Sequence, residues 1–248
     1  MCAQDLSRYF LCSQKRHYEF GGFVMEIMNA KDLTTEKITC LIYGTPGMGK
    51  TTLLGQLPGK TLIVDIDRGT SVLAGCENVD IVRISEDLHE LQEIVSALRT
   101  KCEYQNVALD SVSEFERAML AMYGRKGNNN GVPDQASYLR TDYKIIDWCR
   151  LFRTLPCNVI FTAWETQKEV IATTGEKYTQ ARPMIRKDNS ENLCGLCDIV
   201  GRLMINPQDG TRYVCLDGSQ TIVAKDRLFK RKFCKFEELM NVPTNLEK

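Results

Sequence analysis

The chain has 248 residues, of which 43% are hydrophobic and 26% charged, a size and balance that suit one α/β domain with its own core. Its 32 Lys and Arg residues balance 32 Asp and Glu residues, so bulk charge does not hold it to nucleic acid and any such binding needs a local patch. No apolar run approaches the ~20 residues that span a bilayer. Eleven irregularly spaced cysteines without a signal-peptide core favour a reducing compartment, and we expect a cytoplasmic protein.

The first residues differ in pattern from the rest. Residues 1–24 show no clear periodicity, and a second methionine, Met25, opens a better patterned segment. We interpret 1–24 as an N-terminal extension, either a flexible arm or the product of an early start codon. Residues 25–248 show no internal repeat or long linker, so we assign them to one domain.

From Met25 onward, strand and helix patterns alternate. Apolar runs predict strands at 38–43, 60–66, 80–84, 106–110 and 158–162. Helices are predicted from Lys50, after a Ser85 cap with Glu86 and Asp87 in the first turn, around Phe115, and over 133–155. Hairpins are predicted at 168–173 with 177–181 and at 199–205 with 213–216. The order predicts an α/β fold whose mostly parallel sheet is flanked by helices and extended by antiparallel strands toward the C-terminus.

A phosphate-binding motif follows the first of these strands. Residues 44–51 read Gly-Thr-Pro-Gly-Met-Gly-Lys-Thr and match the P-loop pattern G-x-x-x-x-G-K-[ST] in full. The glycines let consecutive backbone N–H groups surround phosphate oxygens, and the loop lies between a strand and a helix, as this motif requires. The motif predicts a site for ATP, or a close nucleoside triphosphate relative, with Mg²⁺. The predicted nucleotide-binding residues are Gly44, Thr45, Pro46, Gly47, Met48, Gly49, Lys50, Thr51 and Thr52.

Two residues of the motif and one acid farther along have specific predicted roles. Lys50 is expected to reach the β- and γ-phosphates, and the Thr51 hydroxyl to ligate Mg²⁺. Residues 107–111, Val-Ala-Leu-Asp-Ser, resemble a Walker B strand, in which Asp110 would hold the ion directly or through water. An Asp at a strand end is otherwise often a helix cap, but a P-loop needs one such acid and Asp110 is the best placed.

Asp65 and Asp67 end the strand that follows the P-loop helix. On a strand, residues two apart project to the same side. Asp67 could orient the water that attacks the γ-phosphate, or it could be a turn acid leading into Arg68 and Gly69. The residues alone leave both interpretations open.

Residues 225–235 are rich in Lys and Arg, with Phe229 and Phe233 between them. Three interpretations stay open: a cationic finger into a neighbouring subunit's phosphates, a contact to nucleic acid with stacking aromatics, or a solvated surface. Arg125 and Lys126, in the Asn- and Gly-rich loop 124–131, are a weaker candidate of the same kind.

Cys194 and Cys197 have the spacing of half a zinc knuckle. The chain offers no second such pair and only two histidines, so four zinc ligands are hard to assemble. We expect a helix that packs two thiols, and no metal other than the nucleotide's Mg²⁺.

Taken together, these residues resemble the phage single-strand-annealing ATPases, a family of phage nucleotide-binding proteins built on a minimal RecA-like core. The resemblance covers about residues 25–236. Only the P-loop is specific by itself, and the ordered set of motifs carries the likeness. That set comprises residues 43–52, 62–67, 108–111, 159–163, 198–202 and 224–227.

The resemblance implies further roles. RecA-like ATPases place the catalytic acid two residues after an aspartate that ends the second strand, which here selects Asp67. They also carry a Lys-x-Lys or Lys-x-Arg pair that reaches across a subunit interface to the γ-phosphate, and Lys225 and Arg227 match that pattern. The implied form is a homo-oligomer with ATP at its subunit interfaces. The implied catalytic residues are Asp67, Lys50, Lys225 and Arg227.

One position departs from the family pattern. The strand predicted at 158–162 should end near a polar sensor, often Gln or His, that couples the nucleotide to the DNA-binding loop. Trp164 stands there instead, followed by Glu165. Trp cannot contact a phosphate as an amide does, so the coupling would have to use Glu165 or Gln167.

The resemblance implies a phage or prophage ATPase that binds single-stranded DNA and promotes annealing or strand exchange. The alternative is a helicase loader or another nucleotide-dependent assembly module that switches protein partners. A small-molecule kinase fits less well, because the sequence has no arginine-rich run for a lid. Annealing predicts ATP-strengthened, salt-sensitive binding to single strands, whereas a loader predicts little DNA affinity without its protein partner.

Overall fold

The computed structural model describes residues 16–20, 23–27, 29–30, 37–86, 88–172, 174–186 and 188–241. Contacts divide the chain into two compact units, Met1–Glu36 and Lys37–Lys248. In the first unit, β1 (Arg16–Phe20) and β2 (Phe23–Ile27) form an antiparallel pair with Arg16 opposite Ile27. Residues 1–15 and 21–22 of the predicted extension lie outside the described residues, and the domain boundary at 24/25 stays a prediction.

The second unit is built on one ten-stranded sheet. Its strands are β3 (Thr39–Gly44), β4 (Thr61–Asp65), β5 (Val79–Arg83), β6 (Asn106–Asp110), β7 (Asn158–Ile171), β8 (Lys177–Pro183), β9 (Ile199–Ile205), β10 (Arg212–Cys215), β11 (Lys225–Asp226) and β12 (Phe233–Cys234). The order is β12-β10-β9-β3-β7-β6-β4-β5, with β11 on β9 and β8 on β7. The neighbours from β9 through β3, β7, β6 and β4 to β5 are parallel, and β8, β10 and β11 pair antiparallel. This confirms the predicted sheet.

Helices cover both faces of this sheet. They are α1 (Lys50–Gly55), α2 (Glu90–Thr100), α3 (Val112–Lys126), α4 (Gln135–Phe152) and α5 (Asn189–Leu196), with a 3₁₀ turn at Thr70–Leu73. Leu41 of β3 packs in a core with α2 to α5, and Ile42 packs in a second core with α1 and the C-terminal residues. Because β3 is buried on both faces, its sequence is a continuous apolar run and not an alternating one.

The start of α2 differs from the prediction. Ser85 does not cap the helix: its hydroxyl donates to the Glu90 carboxylate, 2.5 Å away, and the helix begins only at Glu90. Leu88 has φ +62°, a left-handed conformation that interrupts a right-handed helix, so Glu86 is not in a first helical turn. Asp87 lies outside the described residues. The predicted apolar stripe is confirmed, since Leu88, Leu91, Val95 and Leu98 are all buried.

Three other elements, α3, α4 and β7, have different bounds from those predicted. The loop predicted at 124–131 is shorter, because α3 continues to Lys126. The helix predicted at 133–155 begins after Asp134, whose carboxylate accepts a 2.8 Å hydrogen bond from the Ser137 N–H as an N-cap. Strand β7 is one strand of 14 residues where two were predicted, and its second half forms the hairpin with β8.

Candidate functional site

The P-loop connects β3 to α1 at the carboxyl end of the parallel strands. Gly47 and Gly49 have φ +81° and +95°, a region that side-chain-bearing residues rarely adopt. A Cβ placed on Gly47 would have no atom within 4 Å, so the loop backbone is open to an approaching group. This open, left-handed backbone fits the predicted phosphate cradle.

Lys50 lies at the base of this loop. The residue is 9% exposed, and its Nζ donates to the carbonyls of Gly44 and Thr45 at 3.0 and 3.1 Å. Burial lowers the pKa of Lys50, against the opposing effect of Asp110 and other acids nearby. Since an ammonium group has three N–H donors, one more is available for an oxygen at the loop.

Thr51 and Asp110 are brought together as predicted. The Thr51 hydroxyl donates to Asp110 Oδ2 at 2.7 Å, and the Thr162 hydroxyl of β7 donates to Asp110 Oδ1. Burial raises the pKa of Asp110, whereas the two hydroxyls act in the opposite direction. A carboxylate beside a hydroxyl supplies the oxygen ligands that Mg²⁺ prefers, so these residues fit the ion.

The two aspartates after α1 have different environments. Asp65 ends β4 and is 1% exposed, with Oδ2 accepting a 2.6 Å hydrogen bond from the Thr70 hydroxyl. Asp67 lies two residues past the strand and is exposed. A Cβ built on Gly69 would lie 3.4 Å from Asp67 Oδ1 and 4.0 Å from Thr51 Oγ1, so Asp67 lies beside the P-loop. The prediction that both side chains share one side of a strand is wrong for Asp67, because β4 ends before it.

The expected sensor position lies at the rim of the same site. In the strand register, Trp164 of β7 lies opposite Gly44. The backbone N–H of Trp164 donates to Ser113 Oγ at 2.9 Å. The next residue, Glu165, accepts two hydrogen bonds from Arg202 at 2.9 and 2.7 Å. Because β3 lies between β7 and β9, this ion pair crosses the end of the P-loop strand.

The Glu165–Arg202 pair was not anticipated from the sequence. The Glu165 side chain is only 3% exposed and is held by Arg202, whereas Gln167 is exposed on the hairpin opposite Ala181. The idea that Glu165 or Gln167 serves as the sensor stays a prediction. No local signal marks the pair, because its residues are 37 positions apart and meet only through the sheet.

Lys225 and Arg227 lie away from the P-loop of their own chain. Lys225 pairs with Val200, which lies opposite Leu41, so it is roughly 10 Å short of Gly44 along the strand direction. Lys225 Nζ donates to the Gly195 carbonyl at 3.4 Å, and Arg227 pairs with Asp198. Both contacts are with residues that precede β9, at the opposite end of the sheet from the P-loop.

A different cation lies beside the P-loop. The Cδ and Nε of Arg212 would be 3.5 Å from a Cβ placed on Gly49. Arg212 begins β10 and reaches the loop because β10 runs antiparallel to β9, with Arg212 opposite Ile205. The sequence reasoning missed this residue, since no motif surrounds it and only the strand register brings it to the loop.

The two cysteines of the half-knuckle lie at the end of α5. Cys197 is buried and Cys194 half-buried, and burial raises the pKa of the Cys194 thiol to about 11. In the part of the chain that the structure describes, no three His, Cys, Asp or Glu side chains are grouped so that they could hold a metal ion. Within the same residues, no helix is long and apolar enough to cross a membrane.

Comparison with known proteins gives a family match. The model of the AAA domain family AAA_24 matches residues 36–228. Similar solved structures include a KaiC-like protein from Pyrococcus horikoshii OT3, with 15% identity, a TM-score of 0.42 and coverage of 75% of this chain and 80% of that chain. Another is a solved ATPase domain, with 14% identity, a TM-score of 0.46 and coverage of 77% of this chain and 78% of that chain. No curated protein matches the chain.

The matched range contains every predicted site residue, from Gly44 to Arg227. The predicted α/β RecA-like P-loop fold, with its mostly parallel sheet and C-terminal antiparallel strands, is confirmed. The family match covers most of the chain and coincides with the P-loop site, and the chain belongs to the AAA domain family AAA_24.

Proposed function

We propose that this P-loop ATPase domain binds ATP with Mg²⁺, hydrolyses it, and acts on single-stranded DNA in recombination or annealing. The observation that carries the hydrolytic part is the convergence of Lys50, Thr51, Asp110 and Asp67 at the carboxyl edge of the parallel sheet. An ammonium group, a hydroxyl and two carboxylates, the kinds of group that phosphoryl transfer needs, lie beside one glycine loop.

Each residue then has a defined role. Lys50 donates to oxygens of the β- and γ-phosphates, with its remaining N–H directed away from the two loop carbonyls. Thr51 and Asp110 would hold Mg²⁺, which supplies charge neutralisation on the phosphates when bound. Asp67 is exposed beside Thr51 and orients the attacking water.

The active form in this proposal is a homo-oligomer with ATP at its subunit interfaces. Lys225 and Arg227 are too far from the P-loop of their own chain, so they serve the site of a neighbouring subunit. Arg227 is 54% exposed at its side chain although it pairs with Asp198, so it is accessible to such a neighbour. A head-to-tail contact of this kind generates a ring or a filament.

Single-stranded DNA as the partner rests on the likeness of the ordered motifs and on a local positive patch. Lys230, Lys232 and Lys235 are exposed in the segment between β11 and the C-terminal residues. A neutral chain with such a patch binds DNA phosphates through it, with an affinity that falls steeply with salt. Phe229 takes no part in stacking, because it is buried.

The test is Mg²⁺-dependent ATP hydrolysis by the purified protein, with and without single-stranded DNA, beside a Lys50→Ala control. We expect hydrolysis that DNA stimulates and that the control lacks. Hydrolysis unchanged by DNA at low salt, with ATP still bound, would overturn the DNA part of the proposal.

One observation favours the alternative, a nucleotide-dependent assembly or helicase-loader module. Val132, Leu139 and Tyr143 are 59%, 53% and 70% exposed in and before α4. Exposed apolar side chains close together are typical of protein contacts. Under this alternative, DNA affinity appears only after a protein partner is added, and Leu139→Asp abolishes that partner's binding while ATP hydrolysis persists.

A further inference from the structure

A large cavity adjoins the P-loop on the side of the C-terminal strands. Its volume is about 1090 Å³. Its lining includes Thr52 of α1 and Gln56, the residue after that helix, together with Arg212, Tyr213 and Phe233. The volume slightly exceeds the range of about 300–1,000 Å³ that is usual for small-molecule sites. Thr52 belongs both to the lining of this cavity and to the predicted phosphate-binding segment.

Arg212 stands where the cavity meets the P-loop. Its Nε would be 3.5 Å from a Cβ on Gly49, and the residue is exposed. Among the described residues, no acidic side chain pairs with it, although Arg182, Arg186, Arg202, Arg227 and Arg231 all have such partners. A guanidinium without a carboxylate partner beside an anion-binding loop is placed to pair with a phosphate.

Phe233 supplies an apolar surface in the same cavity. It is 70% exposed, in contrast to Phe229 and Phe236 nearby, which are buried. The polar groups of the turn that borders the cavity are used locally, since Asn206 Oδ1 accepts from the Gln208 N–H and Asp209 Oδ1 from the Thr211 N–H. Those two acceptor atoms are already used within the turn, whereas the Phe233 ring presents an exposed aromatic face to the cavity.

We propose that this cavity receives the nucleoside of a nucleotide bound at the P-loop, with Arg212 pairing with its phosphates and Phe233 stacking on its base. The inference rests on the proposed nucleotide binding and adds the residues that recognise the nucleoside half. Base selection by stacking favours the larger purine rings over pyrimidines. It also means that one chain binds the whole nucleotide, whereas Lys225 and Arg227 act on it from a neighbour.

The test compares the binding of ADP, which has a nucleoside, with that of tripolyphosphate, which has phosphates but no nucleoside. Each ligand is titrated with Mg²⁺ by calorimetry. Phe233→Ala is expected to lower the affinity for ADP about 10-fold and to leave the affinity for tripolyphosphate unchanged, because only ADP carries a base that can stack on the ring. Arg212→Met is expected to weaken both ligands about 10-fold or more, because both carry the phosphates. Arg150→Met, at an exposed residue of α4, is the matched control.

Nucleotide competition gives a second readout. The unmodified protein is expected to bind ADP several-fold more tightly than UDP, and Phe233→Ala to remove that difference, with Phe233→Trp retaining it. If ADP binds through Lys50 but Phe233→Ala and Arg212→Met bind it as the unmodified protein does, the inference is overturned and nucleotide binding survives. If neither ADP nor tripolyphosphate binds, the proposed function itself fails.

Discussion

The carboxyl edge of the parallel sheet and its C-terminal extension use charged residues in opposite ways. At the edge, Lys50 and Asp110 come from distant parts of the chain and meet within one site, where each still has capacity for a ligand. In the extension, Lys225 and Arg227 already contact Gly195 and Asp198 at the far end of the sheet. The residues of the first region meet within one chain, whereas we propose that Lys225 and Arg227 serve the site of a neighbouring subunit.

The comparison shows which residue contacts follow from a parallel sheet and which depend on the strands added beside it. Parallel strands place their carboxyl ends at the same edge of the sheet, so residues that follow separate strands come close together there. Strands β10 and β11 both run antiparallel to β9 but pair with its opposite ends, so Arg212, opposite Ile205, lies at the P-loop and Lys225, opposite Val200, lies away from it. Equivalent charges in the extension therefore have different tasks.

The largest effect is expected from Lys50→Ala. The change removes the cation beneath the P-loop, and nucleotide affinity should fall at least about 100-fold, because a charge-assisted contact to phosphate is lost in a partly buried site. Calorimetric titration of ADP with Mg²⁺ measures it. Lys60 directly precedes β4 at the opposite edge of the sheet, and Lys60→Ala should leave the affinity for ADP unchanged. Equal losses of affinity in the two variants would show that the P-loop is not the nucleotide site.

Mixing two inactive variants tests the contrast between the regions. Lys50→Ala and Arg227→Met should each lose hydrolysis, the first in its own site and the second in its neighbour's. In a randomly mixed oligomer, about one quarter of the interfaces would pair an intact P-loop with an intact Arg227, so about a quarter of the activity should return. Phosphate release by the mixture measures it, with sedimentation to show co-assembly. Co-assembled but inactive mixtures would show that Arg227 does not act on the site of a neighbouring subunit.

The third prediction compares two buried carboxylates, Asp110 at the candidate site and Glu116 in α3. Asp110 has two hydroxyl partners, whereas Glu116 of α3 accepts, among the described residues, from the Arg186 backbone N–H, and burial raises the pKa of Glu116 to about 7. A raised carboxyl pKa stabilises the fold most below about pH 4.5, and that stabilisation is lost as the pH rises through 7.

The free energy of unfolding should thus fall by up to about 3 kcal/mol between pH 4.5 and 8 through this group. Glu116→Gln should flatten the dependence, which denaturant unfolding across this pH range measures. An identical pH dependence in the variant would show that Glu116 does not titrate in this window.

The smallest effect concerns the contact beneath the sensor position. Buried Ser113 accepts from the Trp164 N–H and donates to the Met184 carbonyl, both at 2.9 Å. Ser113→Ala leaves two backbone groups without this partner and should lower the free energy of unfolding by about 2 kcal/mol. Chemical denaturation measures it, beside Ser96→Ala on the exposed face of α2, which should change little. A loss no greater than that of Ser96→Ala would contradict the bridging role.

The elements that the sequence predicted best depend on local signals. Strand β6 has the predicted bounds because its apolar run ends at Asp110, and the P-loop is a contiguous motif. The start of α2 was mispredicted because the Ser85 hydroxyl binds the Glu90 side chain and not a helix N–H. Composition cannot tell which of these two contacts a serine will make.

The features that the sequence did not predict depend on register. Arg202 meets Glu165, and Arg212 meets Gly49, only because β9 lies beside β3 and β10 folds back along β9. Strand β7 was predicted as two pieces because its sequence turns polar after Ala163, where the strand leaves the buried sheet and continues as a hairpin. Pairing between strands determines all three features: the Arg202–Glu165 ion pair, the position of Arg212 beside Gly49, and the length of β7.

The most direct test of the hydrolytic site is Asp67→Asn, measured as Mg²⁺-dependent phosphate release beside ATP affinity. Asparagine keeps the shape of the side chain but cannot activate water as a carboxylate does, so release should fall at least about 100-fold while affinity stays the same. Asp80→Asn is the matched control, since Asp80 is a half-exposed aspartate at the amino end of β5, away from the P-loop. Phosphate release by Asp67→Asn at the rate of the control would contradict the assignment of the catalytic acid at this edge of the sheet.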